Sequence, residues 1–461
     1  MASSTAQVSR HLVTEPLARF VASFRWEDVP LHVRHEAKRS LLNFFAVALA
    51  GCNDPTIDAA ERVYRRFSAG PLATVIGRGE RTDILNAAAL NAMSANVYDF
   101  DDTHMPTIIH PTAPVAPAIL ALSETTPVSG RDFLLAFLLG VEVECRLGVA
   151  ISPRHYARGW HITSTCGIFG SAMAAGRLLD LSEAQLGWAL GSAASQSSGL
   201  VECLGTMAKS VGVGNAARNG LLSALLAQGN FDGSAYPLEG ARGFLQVFGE
   251  NPDMAGITNG LGQSWEILKN TYKPYPCGVV LNPVIEACLK LSGQMDLRPD
   301  ALQNIESIEL TGHSLLRQRT DRPDIQTGRE SQVSAQHAVA MALMRGRAGL
   351  EDFSDSAVMD PALRMLGAKV KFRDDDSFTI DAARVVINRE NAPTIESSVA
   401  IARGALGCPL SDQDIETKLR DLCRYGRSDC NPEPLIDAVW ALEKLDNANA
   451  LMRLAAGTAL A

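Results

Sequence analysis

From residue 12 to about residue 265 the apolar positions recur with helical spacing, and the rhythm changes afterwards. Residues 33–49 carry Leu41, Leu42, Phe44, Phe45, Val47 and Leu49, an apolar face too broad for a surface helix. Runs 84–97, 115–122, 133–147, 162–179 and 186–195 have the same character. Run 211–228 is rich in Gly, Ala and Ser, which lets helices approach closely. After 265, segments 284–291 and 334–344 read as helices, while 305–310, 368–372, 378–380 and 384–387 read as strands around the turn Asp374-Asp375-Asp376. Helical spacing returns over 412–423, 434–445 and an Ala-rich tail. The pattern predicts a mainly α protein. Its all-helical bundle domain, 1–265 plus 405–461, is split in sequence by an inserted α+β domain, 266–404, and the tail packs back on the bundle.

Composition narrows this picture. A chain of 461 residues is too long for one compact core. Aromatic residues make up only 6%, so the helices should pack through Ala and Leu. A net charge of −9 argues against a nucleic-acid partner and against an anionic membrane surface. No apolar run is long enough to span a bilayer, and the first residues show neither a basic n-region nor a long apolar h-region. The nine cysteines are scattered without a Cys-x-x-Cys pair, which removes support for zinc or iron–sulfur sites and fits free thiols in a reducing cytoplasm. No Gly-x-Gly-x-x-Gly follows a strand and no Walker loop is present. Gly212-Val213-Gly214 opens a small-residue helix without a preceding strand, so a nucleotide cofactor is not expected.

The densest chemistry lies between two buried runs, in Tyr98-Asp99-Phe100-Asp101-Asp102-Thr103-His104-Met105-Pro106-Thr107-Ile108-Ile109-His110-Pro111. Imidazole and carboxylate are the usual proton carriers near neutral pH, so this stretch suits an active-site loop. The acids could instead cap a helix or bind a cation. His104 and His110 could ligate a transition metal, but their six-residue spacing is no helical ligand pair, and no metal is expected. His161 stands at a helix start, where the positive end of the dipole disfavours a charged ring; it is either a capping or core residue or a functional one. Lys209 is the one Lys in a small, apolar segment, either a snorkelling surface residue or a desolvated functional amine. Tyr272-Lys273-Pro274-Tyr275-Pro276-Cys277-Gly278 reads as a plain hinge or as a stiff loop that holds Lys273 over a cleft. Arg317, Arg319, Arg322 and Arg329 could clamp carboxylates, but a solvated loop face is the better reading.

Taken together and in order, these segments resemble the MmgE/PrpD family, which includes 2-methylcitrate dehydratase, cis-aconitate decarboxylase and iminodisuccinate epimerase. The resemblance rests on Asp99 to His104, His110-Pro111, Gly159-Trp160-His161, Gly205-Thr206-Met207-Ala208-Lys209, Gly214-Asn215-Ala216-Ala217 and Lys273-Pro274-Tyr275-Pro276-Cys277, and spans most of the chain. It implies a helical domain with an inserted lid, in a homodimer. It implies an acid/base pocket with Asp99, Asp102, Thr103, His110, His161, Lys209 and Lys273 as catalytic groups, and His104, Tyr275, Asn282 and His337 around the substrate. Asn282 stands where many members have a His, and His337 where the lid helix often presents a Tyr.

The expected activity is that of a cofactor-independent lyase on a small di- or tricarboxylate, a dehydratase or decarboxylase. Cations would stabilise the enolate-like charge formed when a proton leaves the carbon beside a carboxylate. His110 is the favoured base, with Lys209 or Lys273 as charge stabiliser or alternative base. Asp99 and Asp102 would orient imidazoles, Thr103 would hydrogen-bond the substrate, and the lid would exclude water. An epimerase of a dicarboxylate such as iminodisuccinate is the alternative in the same pocket. A non-catalytic helical scaffold is the third class, and it would leave Lys209, His110 and His161 far apart.

Overall fold

The computed structural model describes residues 12–293 and 304–457. The chain forms two compact units. The first comprises the chain up to Val97, Asp102–Asn270 and the stretch from Glu416; the second comprises Tyr98–Asp101 with Thr271–Ile415.

The first unit is a helical bundle. Its main members are α1 (Leu31–Gly51), α2 (Ile84–Asn96), α3 (Thr112–Ser123), α4 (Gly130–Ile151), α5 (Ile162–Leu178), α6 (Glu183–Gln196) and α7 (Met207–Gln228). Helix α5 is buried along nearly its whole length and packs on α3, α4, α6 and α7. Its small residues let it serve as the bundle axis. A Cβ added at Gly220 of α7 would lie 2.6 Å from the Ile168 carbonyl oxygen and 2.9 Å from the Ala172 nitrogen, so α7 lies backbone to backbone on α5. The C-terminal stretch belongs to this unit: Gly130 N–H donates to the Leu445 oxygen at 2.9 Å, and Gly77 N–H to the Ala455 oxygen at 2.8 Å. No helix among the described residues is long and apolar enough to cross a membrane.

The helical reading misses one feature here. Strands β1 (Ala73–Val75) and β2 (Glu80–Thr82) form an antiparallel hairpin, with Gly77 and Gly79 at positive φ in its turn. Only glycine takes that backbone geometry without strain, and the strands are too short to leave a period-2 signal.

A buried polar chain starts on α4. The Arg146 Nε–H donates to Glu142 Oε1 at 2.5 Å, and the guanidinium also donates to the carbonyls of Ile257, Asn259, Gly260 and Ser264. Glu142 Oε2 accepts the Glu266 N–H at 2.7 Å. Burial pushes the Glu142 carboxyl up to about 7, against the pull of Arg146. Glu266 then accepts from His104 Nε2 at 3.0 Å and from Lys269 Nζ at 2.8 Å. Burial works against the Glu266 carboxylate, but the hydrogen bonds from His104 and Lys269 outweigh it and hold its pKa at about 2. Burial also lowers the pKa of His104, more than Glu266 raises it, so its ring is neutral. Its Nδ1 accepts from Thr107 Oγ1 at 2.8 Å.

The second unit carries a four-stranded sheet in the order β4-β3-β5-β6, with β3 Ile305–Gly312, β4 Val370–Asp374, β5 Ala383–Arg389 and β6 Ala392–Val399. The β3/β4 pair is parallel and the other two are antiparallel. Helices α8 (Asn282–Ser292) and α9 (Ala335–Arg345) bury Val284, Ile285, Val339 and Leu343 in one core with Ile308, Leu310, Val385 and Ile387 of the sheet. Segment 378–380, expected as a strand, is a turn instead. The Asp375 carboxylate accepts from the Ser377 N–H and hydroxyl, and the Asp375 carbonyl from the Phe378 N–H, which diverts the backbone from a ladder. Arg317 faces Asp374 bidentately on the surface, in keeping with a solvated loop face.

Two outcomes are expected. Gly220→Ala gains helix propensity but forces α7 off the α5 backbone, and should lose about 1–3 kcal/mol in urea denaturation. Glu266→Gln should lose about 1–3 kcal/mol at pH 7 by leaving His104 and Lys269 without their anion. Because the Glu266 carboxyl drops from 4.5 to about 2 on folding, its stabilisation is full above 4.5 and disappears as pH falls through 2. The gap between wild type and Glu266→Gln should therefore close over that interval.

Candidate active site

The acidic loop is built around Asp102. Its side chain is fully buried, and Oδ2 accepts from Thr112 Oγ1 at 2.5 Å and from Asn270 Nδ2 at 2.9 Å. Thr112 opens α3, so Asp102 ties the two ends of the loop together. Between them the backbone closes on itself: His104 N–H donates to the Ile109 oxygen at 2.8 Å and Ile108 N–H to the His104 oxygen at 2.7 Å. The closure sets Ile108 at φ 59°. A β-branched residue in the left-handed region is strained, and such strain collects at functional sites.

Several contacts hold His110. Nδ1 donates to the main-chain oxygen of Asp102 at 2.7 Å, and Thr103 Oγ1 lies 3.4 Å from the same nitrogen. The His110 N–H donates to Thr163 Oγ1 at 3.1 Å. A hydrogen on Nδ1 makes Nε2 the basic nitrogen of the neutral ring. Asp102 thus meets this imidazole through its main-chain oxygen, while its carboxylate holds Thr112 and Asn270.

Thr163 lies in the first turn of α5, and His161 is the residue that caps that helix. His161 Nδ1 lies 2.7 Å from Ser164 Oγ, and its N–H donates to the Gly199 oxygen at 3.1 Å. Gly199 has φ 132°, and a Cβ there would meet Ser164 at 2.5 Å, so the loop before α7 needs glycine to pass. Gly212 of α7 approaches the same Ser164 Oγ. Lys209 sits one turn earlier on α7, half-buried, its N–H donating to the Thr206 oxygen. The first turn of α5 therefore gathers His110, His161 and the α7 turn that carries Lys209 at one end of the bundle.

His104 stands differently. It is fully buried with both ring nitrogens used inside the protein, by Thr107 and Glu266, so the substrate contact expected of it does not fit. Its place is to anchor the loop.

In the second unit, Lys273 is buried and its Nζ donates to the Asp99 main-chain oxygen at 2.6 Å and to Asp99 Oδ2 at 3.0 Å. Asp99 is at φ 51°. Gln332 Nε2 donates to the Tyr98 oxygen at 2.7 Å, and its own carbonyl accepts from Gly278 N–H, so it braces both ends of this pair. Asn282 opens α8 and accepts the Cys277 thiol at 3.7 Å. Burial pushes the Tyr275 hydroxyl up to about 12, so it is a neutral donor. His337 is buried on α9; burial lowers its pKa, and Nε2 donates to the Asp352 oxygen at 2.7 Å. Thr112, Thr163, Ser164, Glu266, Asn270 and Gln332 were not singled out by sequence reasoning. Asn270 alone had a signal, three residues before Lys273 in the proline-rich motif.

Residues 15–256 match the MmgE/PrpD N-terminal domain and residues 275–443 the MmgE/PrpD C-terminal domain. The cis-aconitate decarboxylase of Aspergillus terreus is 28% identical over 470 residues, covering 96% of this chain and 95% of that protein. The cis-aconitate decarboxylases of Mus musculus and Homo sapiens are each 27% identical, covering 96% of this chain and 93% and 95% of theirs. With both domain types matched in order over most of its length, the chain belongs to the MmgE/PrpD family.

Proposed function

We propose that this protein is a lyase acting on a small polycarboxylate of the cis-aconitate type, as a decarboxylase or dehydratase that needs no cofactor. The observation that carries this reading is the tautomer of His110: Nδ1 donates to the Asp102 main-chain oxygen, which makes Nε2 the basic nitrogen of the ring. That His161 begins α5 and Lys209 lies in the first turn of α7 supports a shared site for both. Relatives of matching length are named for decarboxylation of cis-aconitate.

In a decarboxylation the bond to one carboxylate breaks and carbon dioxide leaves. The electron pair stays on carbon as enolate-like charge, spread into the neighbouring carboxylate and stabilised by cationic groups. His110, entering this step as the imidazolium, delivers the Nε2 proton to that carbon, completes the product and returns to the neutral Nδ1–H ring. In a dehydration the same nitrogen removes the proton and a second group protonates the departing hydroxide. Thr103 is the hydrogen-bond donor to substrate, His161 and Lys209 neutralise carboxylates, and Lys273 with Asp99 enters by the family resemblance, as do Tyr275, Asn282 and His337 in recognition. The same resemblance gives a homodimer, and the scattered cysteines fit a reducing cytoplasm.

Purified protein incubated with 2-methylcitrate, citrate, cis-aconitate and iminodisuccinate in deuterated buffer, followed by proton NMR, should consume cis-aconitate or a close analogue and place one solvent deuterium in the product. Deuterium wash-in without net loss of substrate would instead identify the epimerase, and an inert panel would end the polycarboxylate reading. His110→Ala and Lys209→Ala should each lose about a hundredfold or more in kcat while melting like wild type. Near-normal turnover in either variant removes that residue from the mechanism.

A further inference from the structure

Glu144 has no part in the chemistry above and no obvious reason to be where it is. It lies on α4, fully buried, and neither of its carboxyl oxygens has a hydrogen-bond partner among the described residues. A buried carboxyl in that condition costs stability, and a Leu or Met would fill the same space without the cost. The surroundings are nevertheless shaped to it. A Cβ at Gly170 of α5 would lie 2.5 Å from Glu144 Oε2, and one at Gly167 3.4 Å from the same oxygen. Helix α5 is thus bare of side chains along the two turns that face this carboxyl.

The titratable groups around it are few. Asp102 faces it from the loop, Cys166 from α5, and Cys145 is its neighbour on α4; the residue facing Gly167 from α3 is Pro114. Burial pushes the Glu144 carboxyl well above the usual carboxylate range, and the charge of Asp102 adds to the effect. Both thiols are pushed up as well, burial first and the Glu144 charge after it. Two carboxyls in one dry space do not both ionise. Asp102 has hydrogen-bond donors in Thr112 and Asn270, whereas Glu144 has none. The proton belongs on Glu144.

We propose that Glu144 is a neutral carboxylic acid in the working protein and a positioning residue for His110. Kept uncharged, it leaves Asp102 as a lone anion that grips Thr112 and Asn270, and so keeps the Asp102 main-chain oxygen on His110 Nδ1. Ionised, it repels Asp102, loosens the loop and frees the ring to change tautomer. The activity readout rests on the proposed reaction; the spectroscopic ones do not.

The test uses the whole chain with Glu144→Gln and Glu144→Met. Infrared difference spectra at pH 7 should show the carbonyl stretch of a protonated carboxyl in wild type that is missing from both variants. Ring nitrogen-15 spectra of His110 should report the Nδ1–H tautomer in wild type and both variants at pH 7, and a mixture in wild type alone once Glu144 ionises at alkaline pH. Glu144→Met should melt at or above wild type at pH 7. Both variants should keep kcat near wild type at pH 7 and lose the alkaline fall that wild type shows. Because folding raises this carboxyl, wild-type stability should fall as pH rises above 4.5, with a flatter slope in Glu144→Gln. The proposal is overturned by identical infrared spectra, or by variants whose His110 tautomer changes with alkaline pH just as wild type does. If no substrate in the panel turns over, the functional reading fails, while the infrared and nitrogen spectra still decide the role of Glu144.

Discussion

The arrangement of the first unit depends on a carboxylate that never meets solvent. Glu142 takes the Arg146 guanidinium on one oxygen and the Glu266 N–H on the other, and so joins α4 to the segment before Asn270. Arg146 adds four main-chain carbonyls from the same segment, which has little regular structure of its own. A planar cation with five donors suits this work, since one group satisfies oxygens that would otherwise be buried unpaired. Glu266 carries the linkage to His104, and through the His104 carbonyl to the loop that ends at His110. Removing any member leaves a charge or a donor in a dry interior, where it costs most.

The chain of contacts also explains the division of labour among the imidazoles. His104 and His110 are six residues apart and chemically alike, yet one gives both ring nitrogens to Glu266 and Thr107 and the other gives its Nδ1 to the backbone of Asp102. The difference lies in what each Nδ1 meets: Thr107 in the first case, a main-chain oxygen in the second. His161 shows a third use, capping the helix whose second residue holds His110.

Much of this was legible in the residues alone. The 162–179 run corresponds to Ile162–Leu178, and the 33–49 run to Leu31–Gly51, because a broad apolar face repeated every three to four residues has no other stable solution. Strand Ala392–Val399 was not foreseen: it is a mostly exposed edge strand, so burial imposes little alternation on it. The acid/base loop announced itself by density, but density does not report burial, which is why His104 was read as a substrate contact. Glu266 left no trace either. It sits among unremarkable neighbours and acquires its role 162 residues away in sequence. Partnerships of that kind arise from the fold and have no local pattern.

The acceptor that fixes His110 belongs to the peptide backbone, and every amino acid supplies the same oxygen. The proton's address on the ring is therefore written in the path of the chain, and the Asp102 side chain bears on it only by holding that path through Thr112 and Asn270. Divergence among homologues could exchange that side chain wherever another group held the loop on the same course, and the imidazole would keep the same face toward its work. Aligning letters would register a lost residue where the apparatus is intact, and would miss a real loss wherever the loop changed its course and kept its letters.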